Sequence, residues 1–469
     1  MSVIRPSRAT ENPTRSPWLL FGGVVVVLFC LAAVYEAFTL GVTVDEPSHF
    51  VAGHMYWLGE DVLDPPDTPP VTRLFGGWVA RILDLPDPRL SKWWSTRDGY
   101  ILGKELLDPA KPLSWRAVVL SRLPFVLFAV GAVCLTWFWA RRLFSPPVAL
   151  CVLICVAFEP TFLGHAAFIK SDVPAAFGAL WFAYELAGYW STATCARLVR
   201  LALSLAVAVQ IKYSLLVLAP LALAAALWRG PRLAAVTLLP AVLYAGILAG
   251  GAFRVEPVPE HLVDQFAGAG VPAAMQPAAE LIARLPWPQQ FVRGLLFVGG
   301  ALRSGGYEGY MLGRRISGPE PLYFPFAWAI KVPIALQVLT LAGLFVFARR
   351  ALARLVLPAE VALWGCGGVF IGAAVSSNFH IGFRHLIPAL PLLTIGSGFA
   401  LERLVRSGPA LAKGLCVLLS LWVTISSFAV FPNGLSYFNE WIGGPKNGWK
   451  YLADSKSIGA RTCARPVSS

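Results

Sequence analysis

The stretch Pro17–Phe50, PWLLFGGVVVVLFCLAAVYEAFTLGVTVDEPSHF, decides what kind of chain this is. Its first part is an apolar run long enough to cross a bilayer, which takes about 20 such residues as a helix. The run follows a basic, proline-rich tail with Arg5, Arg8 and Arg15, exceeds the core of a signal peptide and lacks a small-residue cleavage site. It therefore reads as a retained first span. The second part, Thr43–Phe50, places Asp45, Glu46, a proline and His49 where that span ends. Two adjacent carboxylates at the edge of a bilayer need a reason.

The rest of the chain agrees with a membrane setting. Of 469 residues, 57% are hydrophobic and 14% charged, with a mean hydropathy of +0.63. Soluble domains hold about 45–50% apolar and about 25% charged residues. The formal net charge is +13, but its distribution excludes nucleic acid as the partner. Arg141–Arg142, Arg197 with Arg200, Arg229 with Arg232, Arg349–Arg350 with Arg354, and Arg403 with Arg406 and Lys413 occupy short gaps between apolar runs. The longer gaps hold nearly all the acids, which is the positive-inside pattern. The eight cysteines show neither a disulfide framework nor a zinc spacing.

Apolar runs near 18–40, 117–139, 146–162, 174–191, 199–211, 213–228, 233–252, 323–346, 357–375, 385–401 and 412–431 predict an all-α integral membrane protein of about eleven spans. The expected order is a cytoplasmic tail (1–17), a multi-span module (18–431) and an extracytoplasmic end (432–469). Two large outer loops, about 41–115 and 253–322, interrupt the module. In the first, HFVAGHMYWLG and VTRLFGGWVARILDL are short and partly amphipathic, as interfacial helices are. All six histidines fall on the outer side of this layout, so the polar chemistry is gathered on one face.

Each polar constellation there has a plain structural reading beside a chemical one. Asp45 and Glu46 before Pro47 make an ordinary helix start; alternatively, a carboxylate kept ionised by the helix dipole serves as a general base. In DTPPVTRLF, Arg73 either snorkels or aims its fork at a phosphate. In EPTFLGHAAFIKSDVPAAF, His165 and Asp172 share a face if the segment is helical. Lys331 is either an intramembrane charge with a function or a headgroup lysine before a span that begins near Pro333. Arg384 and His385 head a span at its outer end, where cations are disfavoured unless they meet something anionic. Asp45 and His49 lie one helical turn apart and could share a divalent ion, though no four-ligand set is evident. No cofactor follows with certainty.

The order of these motifs resembles that of the C-superfamily glycosyltransferases (the GT-C fold). Asp45–Glu46 after the first span, PPVTRLF, SRLP, RRLF, EPTFLGHAAFIKSDVPAAF, KVP and GFRHLIPALPLL are most similar to the protein mannosyltransferase type, glycosyltransferase family 39, and the related aminoarabinose transferases of lipid A. The closing YFNEWIGGPKNGWKYLADS is similar to a bacterial subgroup. The resemblance implies an enzyme that moves a sugar from a polyprenyl-phosphate carrier to a protein, lipid or glycan acceptor outside the cytoplasm. It implies catalytic carboxylates at Asp45 and Glu46, and substrate-binding groups at Arg73, His165, Asp172, Lys331, Arg384 and His385. A non-catalytic transporter or flippase of lipid-linked sugars is the alternative, as is an inactive member of the family.

The chain leaves the subgroup's pattern after Asp454–Ser455. KSIGARTC can be encoded as AAG TCG ATT GGG GCC AGG ACC TGC, which read two bases later gives Val-Asp-Trp-Gly-Gln-Asp-Leu, the run the subgroup has there. A frameshift near Lys456 is the expectation, and the DNA sequence checks it. For orientation, a cysteine at position 45 is expected to react with impermeant reagents only from the side opposite the basic gaps.

Overall fold

The computed structural model describes residues 17–60, 63, 65–255, 259–260, 280, 284–304, 309–316, 318–407 and 410–452. The frameshift expectation and part of the second outer loop, chiefly 261–279, lie outside them. Helix α1 (Pro17–Thr39) leads to four short helices, α2 (Glu46–Leu58), α3 (Pro70–Gly76), α4 (Val79–Ile82) and α5 (Gly99–Leu106). Then come α6 (Ser114–Leu143), α7 (Pro146–Ala157), α8 (Pro160–His165), α9 (Asp172–Ser191) and α10 (Cys195–Ile211). A 3-10 turn, Tyr213–Leu218, opens α11 (Ala219–Arg229), followed by α12 (Arg232–Gly250) and α13 (Gln289–Ser304). The hairpin β1 (Gly309–Met311) and β2 (Arg314–Ile316) precedes α14 (Tyr323–Lys331), α15 (Ile334–Leu352) and α16 (Pro358–Val375). A second 3-10 turn, Phe383–Ala389, enters α17 (Leu390–Ser407), and α18 (Ala410–Phe428) and α19 (Gly448–Tyr451) complete the described chain.

Every apolar run of the sequence carries helix. Among the described residues, six stretches are long and apolar enough to cross a membrane: α1, α6, α12, α15, α16 and the segment Phe383–Arg406. Pro146–Ala157, Tyr213–Arg229 and Lys413–Phe428 are apolar but shorter. Leu20, Val27 and Leu31 of α1 stand more than half exposed, as residues facing lipid tails do. Helices of this length and composition make the chain a multi-pass membrane protein; among the described residues six of the eleven expected spans reach full length.

One expected span is broken. The run 323–346 splits at Val332–Pro333, because a residue before proline is pushed out of the helical region and Val332 is extended (φ −93°, ψ 137°). The carbonyls this frees are not left bare: Gln337 Nε2 donates to Ala329 O and Val332 O at 2.8 Å each, and Asn439 Nδ2 donates to the same pair at 2.7 Å. Lys331 thus ends a short helix rather than sitting in mid-span.

Two of the basic gaps meet. Glu402 at the end of α17 accepts from Ser145 N (2.9 Å) and Ser145 Oγ (2.8 Å) between α6 and α7. The α2–α5 region is more than interfacial. Phe50, Val51, Met55, Val79, Ala80, Leu102 and Leu106 form a second apolar core with Val118 and Phe125 of α6. Glycines let its helices touch backbone to backbone. A Cβ on Gly53 would lie 2.3 Å from Gly77 N and 2.6 Å from Arg73 O. Gly53→Ala should therefore push α2 off α3 and lower the thermal midpoint in detergent, whereas Gly23→Ala, whose Cβ meets nothing within 4 Å, should leave it unchanged.

Candidate active site

The site begins with a sealed ion pair. Arg122 on α6 and Glu46 at the first turn of α2 are both fully buried. Arg122 Nε and Nη2 donate to the two Glu46 oxygens at 2.8 Å each. Its remaining donors go to Ala37 O (3.1 Å), Leu40 O (2.7 Å) and Gly41 O (2.8 Å), carbonyls left open where α1 ends. All the N–H groups of the guanidinium are thereby used. Glu46 also accepts from Thr43 N at 2.8 Å and Ile169 N at 3.1 Å. Burial pushes this carboxyl up, but Arg122 and the two backbone donors hold it below its ordinary value. Glu46, expected beside Asp45 as a catalytic carboxylate, is closed in on every side and faces away from the polar cluster.

Asp45 faces that cluster. It occupies the N-cap position of α2 without capping, at φ −89° and ψ −21°, so the expected role in the helix dipole is not what orients its side chain. Its Oδ2 instead accepts from Lys170 Nζ and from Arg384 Nη1 (2.8 Å). Lys170 comes from the bend before α9, and Arg384 from the 3-10 turn that opens α17. Next to them, Lys212 at the joint between α10 and its 3-10 turn donates to Asp172 Oδ1 at 2.7 Å. Asp45 keeps 17% of its side chain exposed, against 7% for each of its cationic partners. The carboxylate is the open face of the group.

Two more titratable groups border it. His49, one turn along α2, has Nδ1 2.8 Å from Thr68 Oγ1. Burial, then the charge of Lys170, lowers its pKa to about 4, so it is neutral at pH 7. Asp67 is pushed up to about 6 by burial and then by the neighbouring Asp45. Among the described residues no three His, Cys, Asp or Glu side chains are grouped to hold a metal ion, and the ring nitrogen His49 turns to Thr68 is not offered to Asp45.

The remaining expected residues distribute as follows. Asp172, Arg384 and His385 share the electrostatic neighbourhood of Lys212 and Lys170, with His385 packed edge-on against Phe379. Arg73 is buried on α3. His165 and Asp172 do not share a helix: α8 ends at His165, whose Nδ1 meets Thr161 O at 2.7 Å, and α9 starts at Asp172. Lys331 turns to the C-terminal segment, with Nζ 3.0 Å from Leu435 O and 4.1 Å from the Phe438 ring centre. Sequence reasoning did not assign Lys170, Lys212, Asp67 or Arg122 to the site. The signal for the lysines was present: each stands alone in an apolar stretch, AAFIKSDVP and VQIKYSLL.

With this geometry in hand, the chain compares with known proteins as follows. It is similar to the solved structure of ArnT from Cupriavidus metallidurans in the apo state, at 18% identity and a TM-score of 0.43, covering 85% of this chain and 61% of that one. It is also similar to ArnT from the same organism bound to undecaprenyl phosphate, at 15% identity and a TM-score of 0.46, covering 89% and 71%. The chain thus spans 61% of the length of the first of these. No family model matches it, and no curated protein does.

Two outcomes follow from the charges. Arg122→Met leaves Glu46 buried and unpaired, a loss of about 3–5 kcal/mol, read as a lowered denaturation midpoint; adding Glu46→Leu should recover part of it. Asp67 has a folded-state pKa above its unfolded value, so its contribution to stability is present below pH 3.8 and lost as pH rises through about 6. Asp67→Asn is therefore expected to raise the thermal midpoint above pH 6 relative to the parent, with the gain vanishing in acid.

Proposed function

We propose that this chain is a membrane glycosyltransferase that moves a sugar from a polyprenyl-phosphate carrier to an acceptor hydroxyl, with inversion at the anomeric carbon. In this reading the reaction takes place on the extracytoplasmic side of the cytoplasmic membrane. One observation carries it: Asp45 gathers Lys170 and Arg384 at its carboxylate, with the Lys212–Asp172 pair alongside, where the apolar helices open toward the polar end. The order of motifs along the chain supports the same reading.

The chemistry follows from those charges. The acceptor oxygen attacks the anomeric carbon from the face opposite the phosphate and gives its proton to Asp45. The bond from that carbon to the phosphate oxygen breaks, and its electron pair leaves with the polyprenyl phosphate. The transition state resembles an oxocarbenium ion, as in inverting glycosidases. A phosphate leaving group gains negative charge as it departs, so it calls for fixed cations rather than a proton donor. Lys170 and Arg384 supply them, and Lys212 adds a third positive charge to the same field. In the structure Asp45 neutralises the two cations that the phosphate would engage. Arrival of the lipid phosphate draws both toward it and leaves the carboxylate free to accept a proton. Arg122 and Glu46 take no part in bond making; they fix the start of α2 on which Asp45 is carried.

The test separates binding from transfer. Asp45→Asn should lower transfer from a polyprenyl-phosphate sugar by about 10²–10⁴-fold, the range for losing a general base, while still retaining polyprenyl phosphate in native mass spectrometry. Lys170→Gln and Arg384→Gln should weaken that retention. Full transfer by Asp45→Asn overturns the assignment of the base. Movement of a lipid-linked sugar across vesicles by both parent and Asp45→Asn, with no glycoside formed by either, overturns the enzyme reading in favour of a transporter.

A further inference from the structure

The chain that follows α18 returns to that helix through one side-chain hydrogen bond. Trp422 stands six residues before the end of α18 at Phe428, about 9 Å down the helix axis. It lies on the face that also exposes Leu418, Leu421 and Ile425. Trp422 Nε1 donates to Glu440 Oε1 at 3.0 Å, which ties the 3-10 turn Glu440–Ile442 to this exposed apolar face by its side chain. From there Gly443 and Gly444, at φ +76° and +82°, reverse the chain. Asn447 closes the loop: its Nδ2 donates to Ile442 O at 3.0 Å, and its Oδ1 accepts from Lys450 Nζ at 3.1 Å.

The closed loop presents an unusual surface. Trp441 is 67% exposed and Trp449 62%, with Lys446 and Lys450 exposed beside them. Lys450 Nζ lies 5.9 Å from the Trp449 ring centre. Tryptophan next to lysine is the composition of the boundary between acyl chains and headgroups, where the ring takes the apolar side and the ammonium the phosphate. The single acid of the loop, Glu440, is already engaged by Trp422. The neighbouring hairpin, joined through the Met311–Leu452 bridge, adds the exposed Arg315, and Arg314, which is paired with Glu320 at 2.6 Å. The charge on offer to a lipid is positive.

We propose that the loop Glu440–Lys450 is a docking surface for anionic phospholipid in the leaflet on the Asp45 side, with Trp441 and Trp449 at the glycerol level and Lys446 and Lys450 on the phosphates. Composition argues for lipid: two exposed tryptophans beside two exposed lysines match the boundary between acyl chains and headgroups. Charge argues for an anionic headgroup over a zwitterionic one. The surface is built from groups outside the Asp45 cluster, so its role is independent of the reaction proposed above.

The experiment uses the full chain in nanodiscs of phosphatidylcholine with and without phosphatidylglycerol. Replacement of Trp441 by the photocrosslinker p-benzoylphenylalanine should give phospholipid adducts on illumination, identified by mass. In native mass spectrometry the parent should retain phosphatidylglycerol in preference to phosphatidylcholine. Lys446→Gln and Lys450→Gln should each reduce that retention about fivefold, with folding unchanged because both side chains are exposed. No lipid adduct, or adducts to protein or glycan instead, overturns the proposal. So does equal retention of the two lipids by the parent, or unchanged phosphatidylglycerol retention in the double lysine variant.

Discussion

The buried pair of Arg122 and Glu46 is the constraint from which the rest of the polar end takes its geometry. Two charges without contact to water are costly unless every donor and acceptor is matched, and here they are: two bonds to the carboxylate, three to the open carbonyls of α1, two more from backbone amides. The consequence is one of neighbours. Glu46 is bonded to Ile169 N, and the next residue on each side, Asp45 and Lys170, meet as the salt bridge of the site. Consecutive side chains at a helix start diverge, so locking Glu46 inward directs Asp45 outward. One arginine on α6 thus ties together the end of α1, the start of α2 and the bend before α9.

Around that anchor the charges are balanced without being quenched. Asp45 holds two cations and Asp172 a third, while His49 stays neutral and Asp67 titrates near 6. Carboxylates and cations of this kind are expensive to bring together in an apolar surround. They persist because separate segments each contribute one or two, and because Asp45, His49, Asp67 and Lys212 all keep some exposure. The cations are held by buried or half-buried carboxylates rather than carried as mobile surface lysines.

Much of this was legible in the sequence, and the parts that were not have physical causes. The apolar runs, the alternation of basic and acidic gaps and the polar end could be read because bilayer thickness and chain charge act locally. Asp45, Asp172 and Arg384 stood out as charges at the ends of apolar runs. The partners did not, since Lys170 and Lys212 reach Asp45 and Asp172 across 125 and 40 residues of chain. Glu46 looked equivalent to Asp45 because adjacency says nothing about which way each side chain turns; Arg122, 76 residues away, decides it. Lys331 looked like a charge in mid-span because one proline had to be weighed against a long apolar run, and the proline won.

The joint between α14 and α15 has a consequence for biosynthesis. Its two open carbonyls face the protein interior, where an unmatched carbonyl finds no water, and one of the two amides that satisfies them belongs to Asn439, 107 residues farther along than Val332. When α15 leaves the ribosome, that amide does not yet exist as folded structure. Gln337 on α15 can meet both carbonyls at once, but Asn439 can join it only after α16, α17 and α18 have been made and its segment has been delivered back to the joint. Asn439 thus acts as a second fastener, added to a joint whose helices are already in the bilayer.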